Sequence, residues 1–315
     1  MTNFKQTLST ITDYIKADIF PGASLALYDG QDWQEHYLGT QDGNIPVVPG
    51  LTYDLASVSK VVGVGTLCLF YLQAGKLDLD EKLSTYYPAV VDKTLTLRQL
   101  LSHSSGIDPF IPNRDELDQA GLISAINAIK VKSDKPFLYT DINFILLGLM
   151  LEKVSGQRLD RLFDSEIFQP FGMSETRFGP VELAVPTVEG VPGGTVHDPK
   201  ARVLKEHTGS AGLFSTLKDL EIFVNHYLTD DFAKNMTQNI SQSNKERSVA
   251  WDLQGDWLIH TGYTGTFVLI NIPAQRAAIF LSNRTYYKDE RAQWIKDRDV
   301  LIEIMKKELI RERVE

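Results

Sequence analysis

With 315 residues, 43% of them hydrophobic and 23% charged, the chain can enclose a large core in one composite domain or two lobes. Lys and Arg number 32 against 41 acidic residues, and the formal net charge is −9. No basic stripe interrupts that balance, so a nucleic-acid or other polyanionic partner lacks electrostatic support.

Residues 3–18 alternate polar and apolar side chains at helical spacing and predict an amphipathic helix ending before Pro21. This start carries Asp13 and Asp18 and lacks both a basic beginning and an unbroken apolar stretch, unlike a secretory leader. No window approaches the roughly 18 apolar residues of a membrane span. The expectation is a cytoplasmic protein without membrane contact. Strands are expected at 23–28 and 33–39, joined by the turn Asp29-Gly30-Gln31-Asp32. An apolar helix follows over 57–74, stopped by Gly75, with the lone cysteine, Cys68, as a buried helix residue. From there to about 245 the pattern is of helices between Pro- and Gly-containing loops, clearest over 142–154 with Gly156 beyond its end. Strand character returns at 257–260, 266–272 and 277–282, and a last helix covers 290–311.

These elements predict an α+β fold. One antiparallel sheet draws on both termini and is flanked by terminal helices, since short turns cannot join parallel strands. Residues 1–75 and 246–315 form this sheet lobe, 76–245 a mostly helical lobe, and the site lies in the cleft between them. Residues 107–136 are expected to line part of that cleft.

Three short segments carry chemistry. In Ser57-Val58-Ser59-Lys60, two side chains three apart share a helix face. A serine hydroxyl needs a base to become a nucleophile, and lysine is one only when neutral. Bringing its reference value near 10.4 down to about 7 takes roughly 4 to 5 kcal/mol, for which burial and a helix start are candidate sources. A second match, Ser215-Thr216-Leu217-Lys218, reads as a helix start with Thr216 and Asp219 as a capping box. In Tyr139-Thr140-Asp141 a phenol beside a lysine ammonium can relay a proton. In His260-Thr261-Gly262-Tyr263, at a strand end, the glycine admits substrate close to the backbone, and the Tyr263 N–H can meet an oxyanion. Taken singly, each has an ordinary reading as a helix cap, an apolar cluster or a strand-to-turn transition.

Their order and spacing resemble the serine β-lactamase and penicillin-binding-protein superfamily. The segments Leu95-Thr96-Leu97-Arg98-Gln99-Leu100-Leu101-Ser102-His103-Ser104-Ser105-Gly106 and Tyr139-Thr140-Asp141-Ile142-Asn143-Phe144-Ile145-Leu146-Leu147-Gly148 are similar to the class C and esterase-like branch. So are Val196-His197-Asp198 and Gly209-Ser210-Ala211-Gly212-Leu213-Phe214-Ser215-Thr216, and the likeness runs from about residue 20 to 285. It implies an acyl-enzyme on Ser57, with Lys60 and Tyr139 handling the proton. It also implies an oxyanion hole from the N–H groups of Ser57 and Tyr263, and substrate contacts from Asp141, His260, Thr261 and Gly262.

Two departures stand out. His260 replaces the usual Lys with a group that titrates near neutrality, and Asp141 replaces the usual Asn with a negative charge. Both are expected to weaken binding of carboxylate-bearing lactams and peptides. The expected substrate is thus a small ester or amide, with no metal and no cofactor. The alternatives are a penicillin-binding sensor with little turnover and a D-amino-acid peptidase. No Gly-x-Ser-x-Gly elbow and no zinc motif occurs.

Overall fold

A computed structural model describes residues 4–310, so positions 3 and 311 of the expected terminal helices lie outside the described residues. Helix α1 (Lys5–Lys16) leads into strands β1 (Gly22–Tyr28) and β2 (Trp33–Gly39), which form the expected hairpin. The short strand β3 (Thr52–Asp54) precedes an irregular helical run. It opens as a 3₁₀ turn at Ala56–Val58, widens to a π turn at Val61–Gly65, and settles into α2 (Thr66–Gln73).

Two glycines allow that run to pack closely. A β-carbon on Gly63 would fall 2.4 Å from the Phe163 ring, and one on Gly65 would fall 2.7 Å from the Ala250 side chain. By length and composition, Ala56–Gln73 would suffice to cross a membrane, contrary to expectation, but 78% of it is buried in the protein. Cys68 is fully buried there, and burial pushes its thiol up to about 12.

The central helical elements are α3 (Asp141–Ser155), α4 (Pro199–Leu204) and α5 (Leu217–Thr229). Between them run β4 (Arg177–Phe178) and β5 (Leu213–Thr216), then β6 (Asp252–Gln254), β7 (Trp257–Thr261), β8 (Phe267–Asn271), β9 (Arg276–Ser282) and the C-terminal helix α6 (Arg291–Ile310). The main sheet has order β2-β1-β9-β8-β7-β6 and is antiparallel throughout. A second sheet, β3-β5-β4, was not anticipated. The segment 76–245 thus supplies strands as well as helices, and α5 packs on β1, β8 and β9.

Alternation along the strands explains the layering. Ala26, Val268 and Ile279 face a core shared with Val58–Cys68, α3 and α5, whereas Leu25, Leu269 and Phe280 face a second core under α1 and α6. Both sheet faces are therefore covered. Glu308 on α6 fastens the two terminal helices, accepting from the N–H groups of Gln6 and Thr7, each at 3.0 Å, and from the Thr7 hydroxyl at 2.7 Å. Substituting Glu308→Ala is expected to lower unfolding stability by about 2 to 3 kcal/mol, because the buried Thr7 donors are left unpaired. Urea titration reads this as a lower midpoint at unchanged slope.

Candidate active site

Ser57 stands in the turn Ala56–Val58, and that turn is held from several sides. Ala56 adopts a left-handed φ of 45°, a strained geometry for a residue with a β-carbon. Asp54 Oδ1 accepts from the Ala56 N–H at 2.8 Å, and Oδ2 accepts from the His197 N–H at 2.8 Å. Burial raises the Asp54 carboxyl to about 6. The hydroxyls of Thr264 and Thr266 donate to the carbonyls of Asp54 and Leu55, each at 3.1 Å.

Gly262 belongs to the same clamp. A β-carbon there would lie 2.7 Å from the Leu55 carbonyl oxygen and 2.2 Å from the Thr266 hydroxyl. The absent side chain thus admits the backbone before the nucleophile, and Gly262 also lines the cleft. The Tyr263 N–H donates to no protein acceptor among the described residues, and Tyr263 lines the cleft with Ser57.

Lys60 is fully buried one helical turn after Ser57. Its Nζ donates to Ser57 Oγ at 2.8 Å, to Asp141 Oδ1 at 2.7 Å and to the Ser210 carbonyl at 2.8 Å. An ammonium has three hydrogens, so all are engaged. Burial alone would disfavour the charge, but the Asp141 carboxylate outweighs it, and Tyr139 adds to the effect. The side chain is held above the ordinary lysine range. This reverses the expectation of a neutral amine, which weighed burial without Asp141 as a direct partner. Asp141 is correspondingly held below the usual carboxylate range: Lys60 and Lys200 overcome its own burial.

Asp141 is therefore no free negative charge. Its Oδ2 pairs with Lys200 at 3.0 Å, and Lys200 also meets Asp198 at 3.2 Å. Lys200 was not anticipated. Asp198 accepts from the Ala201 N–H at 2.8 Å as the cap of α4, with Pro199 next. Asp-Pro marks that helix start in the sequence, but nothing local shows where the lysine reaches.

Tyr139 completes the group, with Lys60 Nζ 5.2 Å from its ring centroid. Its ring packs 4.3 Å from that of His103, with His260 behind at 6.4 Å. His260 is 3% exposed, and burial, reinforced by Lys60 and Arg247, drives its proton affinity well below the ordinary histidine range. It is neutral and lies outside the cleft lining, unlike Thr261, Gly262 and Tyr263. Neither the expected titration near neutrality nor direct substrate contact fits this placement.

The cleft holds about 860 Å³. Of 107–136, Pro109, Ile111 and Arg114 line it, and the stretch 187–202 contributes more. Six basic residues border it: Arg114, Lys200, Arg202, Arg284, Arg291 and Arg298. Three carboxylates, Asp141, Asp198 and Asp289, line the cleft with them, and Arg114 and Arg298 also pair with Asp115 at 2.9 Å and Asp299 at 2.7 Å, in a chain of net charge −9. Arg298 Nη1 donates to Thr261 Oγ1 at 3.3 Å. Around the cleft these basic side chains outnumber the carboxylates they meet by six to five.

Such a site, a hydroxyl hydrogen-bonded to a buried lysine at the floor of a cleft, is built for acyl transfer. Residues 9–302 match the Beta-lactamase family over nearly the whole chain. This chain belongs to the Beta-lactamase family. As a member it is a serine hydrolase, and its mixed fold is that of the β-lactamase and transpeptidase type. A protein of Escherichia coli (strain K12), provisionally named a D-alanyl-D-alanine carboxypeptidase, is 26% identical, covering 77% of this chain and 71% of its own. Among solved structures, EstCE1, described as a hydrolase with promiscuous acyltransferase activity, superposes with a TM-score of 0.75 at 18% identity, covering 94% of this chain and 97% of its own. The D-amino acid amidase of Ochrobactrum anthropi SV3, bound to D-phenylalanine, gives 0.74 at 18%, covering 97% and 98%.

The other Ser-x-x-Lys is structural. Thr216 caps α5 by accepting from the Asp219 N–H at 3.2 Å. Asp219 does not return the favour as a capping box; its carboxylate accepts from Glu175 and Thr176.

Proposed function

We propose that Ser57 of this beta-lactamase-family hydrolase attacks the carbonyl carbon of a small ester or amide that carries a carboxylate. Ser57 Oγ forms the new bond, and the carbonyl oxygen takes up charge between the N–H groups of Ser57 and Tyr263. The Lys60 ammonium has no free site for a proton, so the Tyr139 oxygen relays the one leaving Ser57, and Lys60 compensates the charge that develops there. The tetrahedral species collapses as the bond to the leaving group breaks, and Tyr139 returns the proton to that group. Water then cleaves the acyl-enzyme, giving its proton to Tyr139, which restores the Ser57 hydroxyl. The observation that carries this reading is the bond from Lys60 to Ser57 Oγ at 2.8 Å, made by a lysine that Asp141 keeps charged.

The carboxylate preference departs from the sequence expectation. It rests on the excess of basic residues around the cleft, with Arg298 donating through Nη1 to Thr261 while its other nitrogens pair with Asp299. The test compares a p-nitrophenyl hemisuccinate ester, which is anionic, with p-nitrophenyl acetate in wild type and Arg298→Gln. The variant is expected to raise KM for the anionic ester about tenfold or more, the usual cost of losing a charge-assisted bond, with little change for acetate. Equal effects on the two esters would contradict the carboxylate preference. Benzylpenicillin turnover with both esters untouched would move the substrate to lactams.

A further inference from the structure

We infer that Lys200 is a positioning residue for the reaction, holding the second oxygen of Asp141 so that the carboxylate is divided between two lysines. This rests on the proposed roles of Lys60 and Tyr139. The chain of contacts is continuous: Asp198 to Lys200 at 3.2 Å, Lys200 to Asp141 Oδ2 at 3.0 Å, Asp141 Oδ1 to Lys60 at 2.7 Å, and Lys60 to Ser57 Oγ at 2.8 Å. Lys200 is 16% exposed and sits in the first turn of α4, where a helix start disfavours a cation. Two carboxylates offset that cost, and they hold the ammonium at Asp141.

The consequence follows from geometry and charge. Lys60 must keep one hydrogen on Ser57 Oγ while meeting Asp141 and the Ser210 carbonyl. With both oxygens free, Asp141 could turn to face Lys60 in full and draw Nζ away from the serine. The cluster would also lose a positive charge, which disfavours deprotonation of the cluster as a whole. The other ionisable groups packed around the cluster are His103, His260 and Arg247 behind Tyr139, and Asp54 near Asp198. Both histidines are held neutral by burial, so the lysines, Arg247 and the carboxylates set the local balance. Removing Lys200 therefore shifts the acidic limb of kcat/KM upward, and removing the charge of Asp198 shifts it downward.

The experiment measures kcat/KM against pH for p-nitrophenyl acetate, a neutral ester that asks nothing of an anion subsite. Wild type, Lys200→Met, Lys200→Arg and Asp198→Asn are compared. Lys200→Met is expected to move the acidic limb up by about one pH unit and to lower kcat at pH 7 about tenfold to a hundredfold, with KM nearly unchanged. Lys200→Arg should recover most of that loss. Asp198→Asn keeps a capping side chain for α4 and should move the limb the other way. Asp198→Asn decides the matter alone if Lys200→Met does not fold. A Lys200→Met limb at the wild-type position, a higher KM at constant kcat, or the same direction of shift in both variants would overturn the assignment. Labelling of wild type by a fluorophosphonate, measured alongside, separates the two levels. No label on Ser57 refutes the catalytic reading itself, whereas a labelled serine with unmoved limbs refutes only the part given to Lys200.

Discussion

Ser57→Ala is expected to lower kcat for p-nitrophenyl acetate on the order of 10⁵-fold while leaving the fold intact. The hydroxyl is the only side-chain atom removed, and its loss takes away the bond-forming atom itself. Residual activity would come from the oxyanion donors and from binding, which survive such substitutions in other serine hydrolases. The backbone clamp around Ala56 does not use the Ser57 side chain, so the strained turn should persist. Lys60 loses one of three acceptors but keeps Asp141 and the Ser210 carbonyl. Thermal melting close to that of wild type, combined with the lost turnover, is the expected pair of results. Retained turnover at even a hundredth of the wild-type rate would place the nucleophile elsewhere.

The second large effect is expected from Tyr139→Phe. A charged Lys60 has no vacancy for a proton, which leaves the phenol oxygen to move it in both half-reactions. Loss of a positioned general base costs about 10² to 10⁴-fold, and the upper part of that range is expected because acylation and deacylation both suffer. The ring packing against His103 survives the substitution, so stability should change little. Lys60→Met should also be severe, since it leaves the half-buried Asp141 without its shortest partner. The double variant should cost little more than either single one, because the two groups act as a unit. A Tyr139→Phe enzyme within tenfold of wild type would return the role of base to Lys60.

Much of this was legible in the chain. The turn-bounded strand runs near both ends, the apolar run after Ser57 and the Thr140-to-Gly156 helix follow from local patterns that tertiary contacts reinforce. The spacing of Ser57 and Lys60 likewise survives folding, because one helical turn always brings such residues together. What escaped depends on distant partners. A lysine's protonation state is set by what lies across from it, and Asp141 is 81 positions away. Lys200 sits in a stretch with no periodicity, and its contact with Asp141 exists only once α4 docks beside α3. The resemblance placed His260 among the substrate contacts, yet the side of the strand it occupies is interior. Strands β3, β4 and β5 are two to four residues long, too short to show alternation. The basic lining of the cleft is assembled from 114, 200–202, 284 and α6, so no single window reveals it.

The attachment point of the acyl group can be read directly by mixing wild type with an activated ester, quenching in acid within the first turnovers, and mapping peptides by mass spectrometry. One acyl group on the peptide containing Ser57, with none in Ser57→Ala, is the expected result. Acylation at another residue, or steady turnover with no covalent species trapped at any quench time, would contradict it.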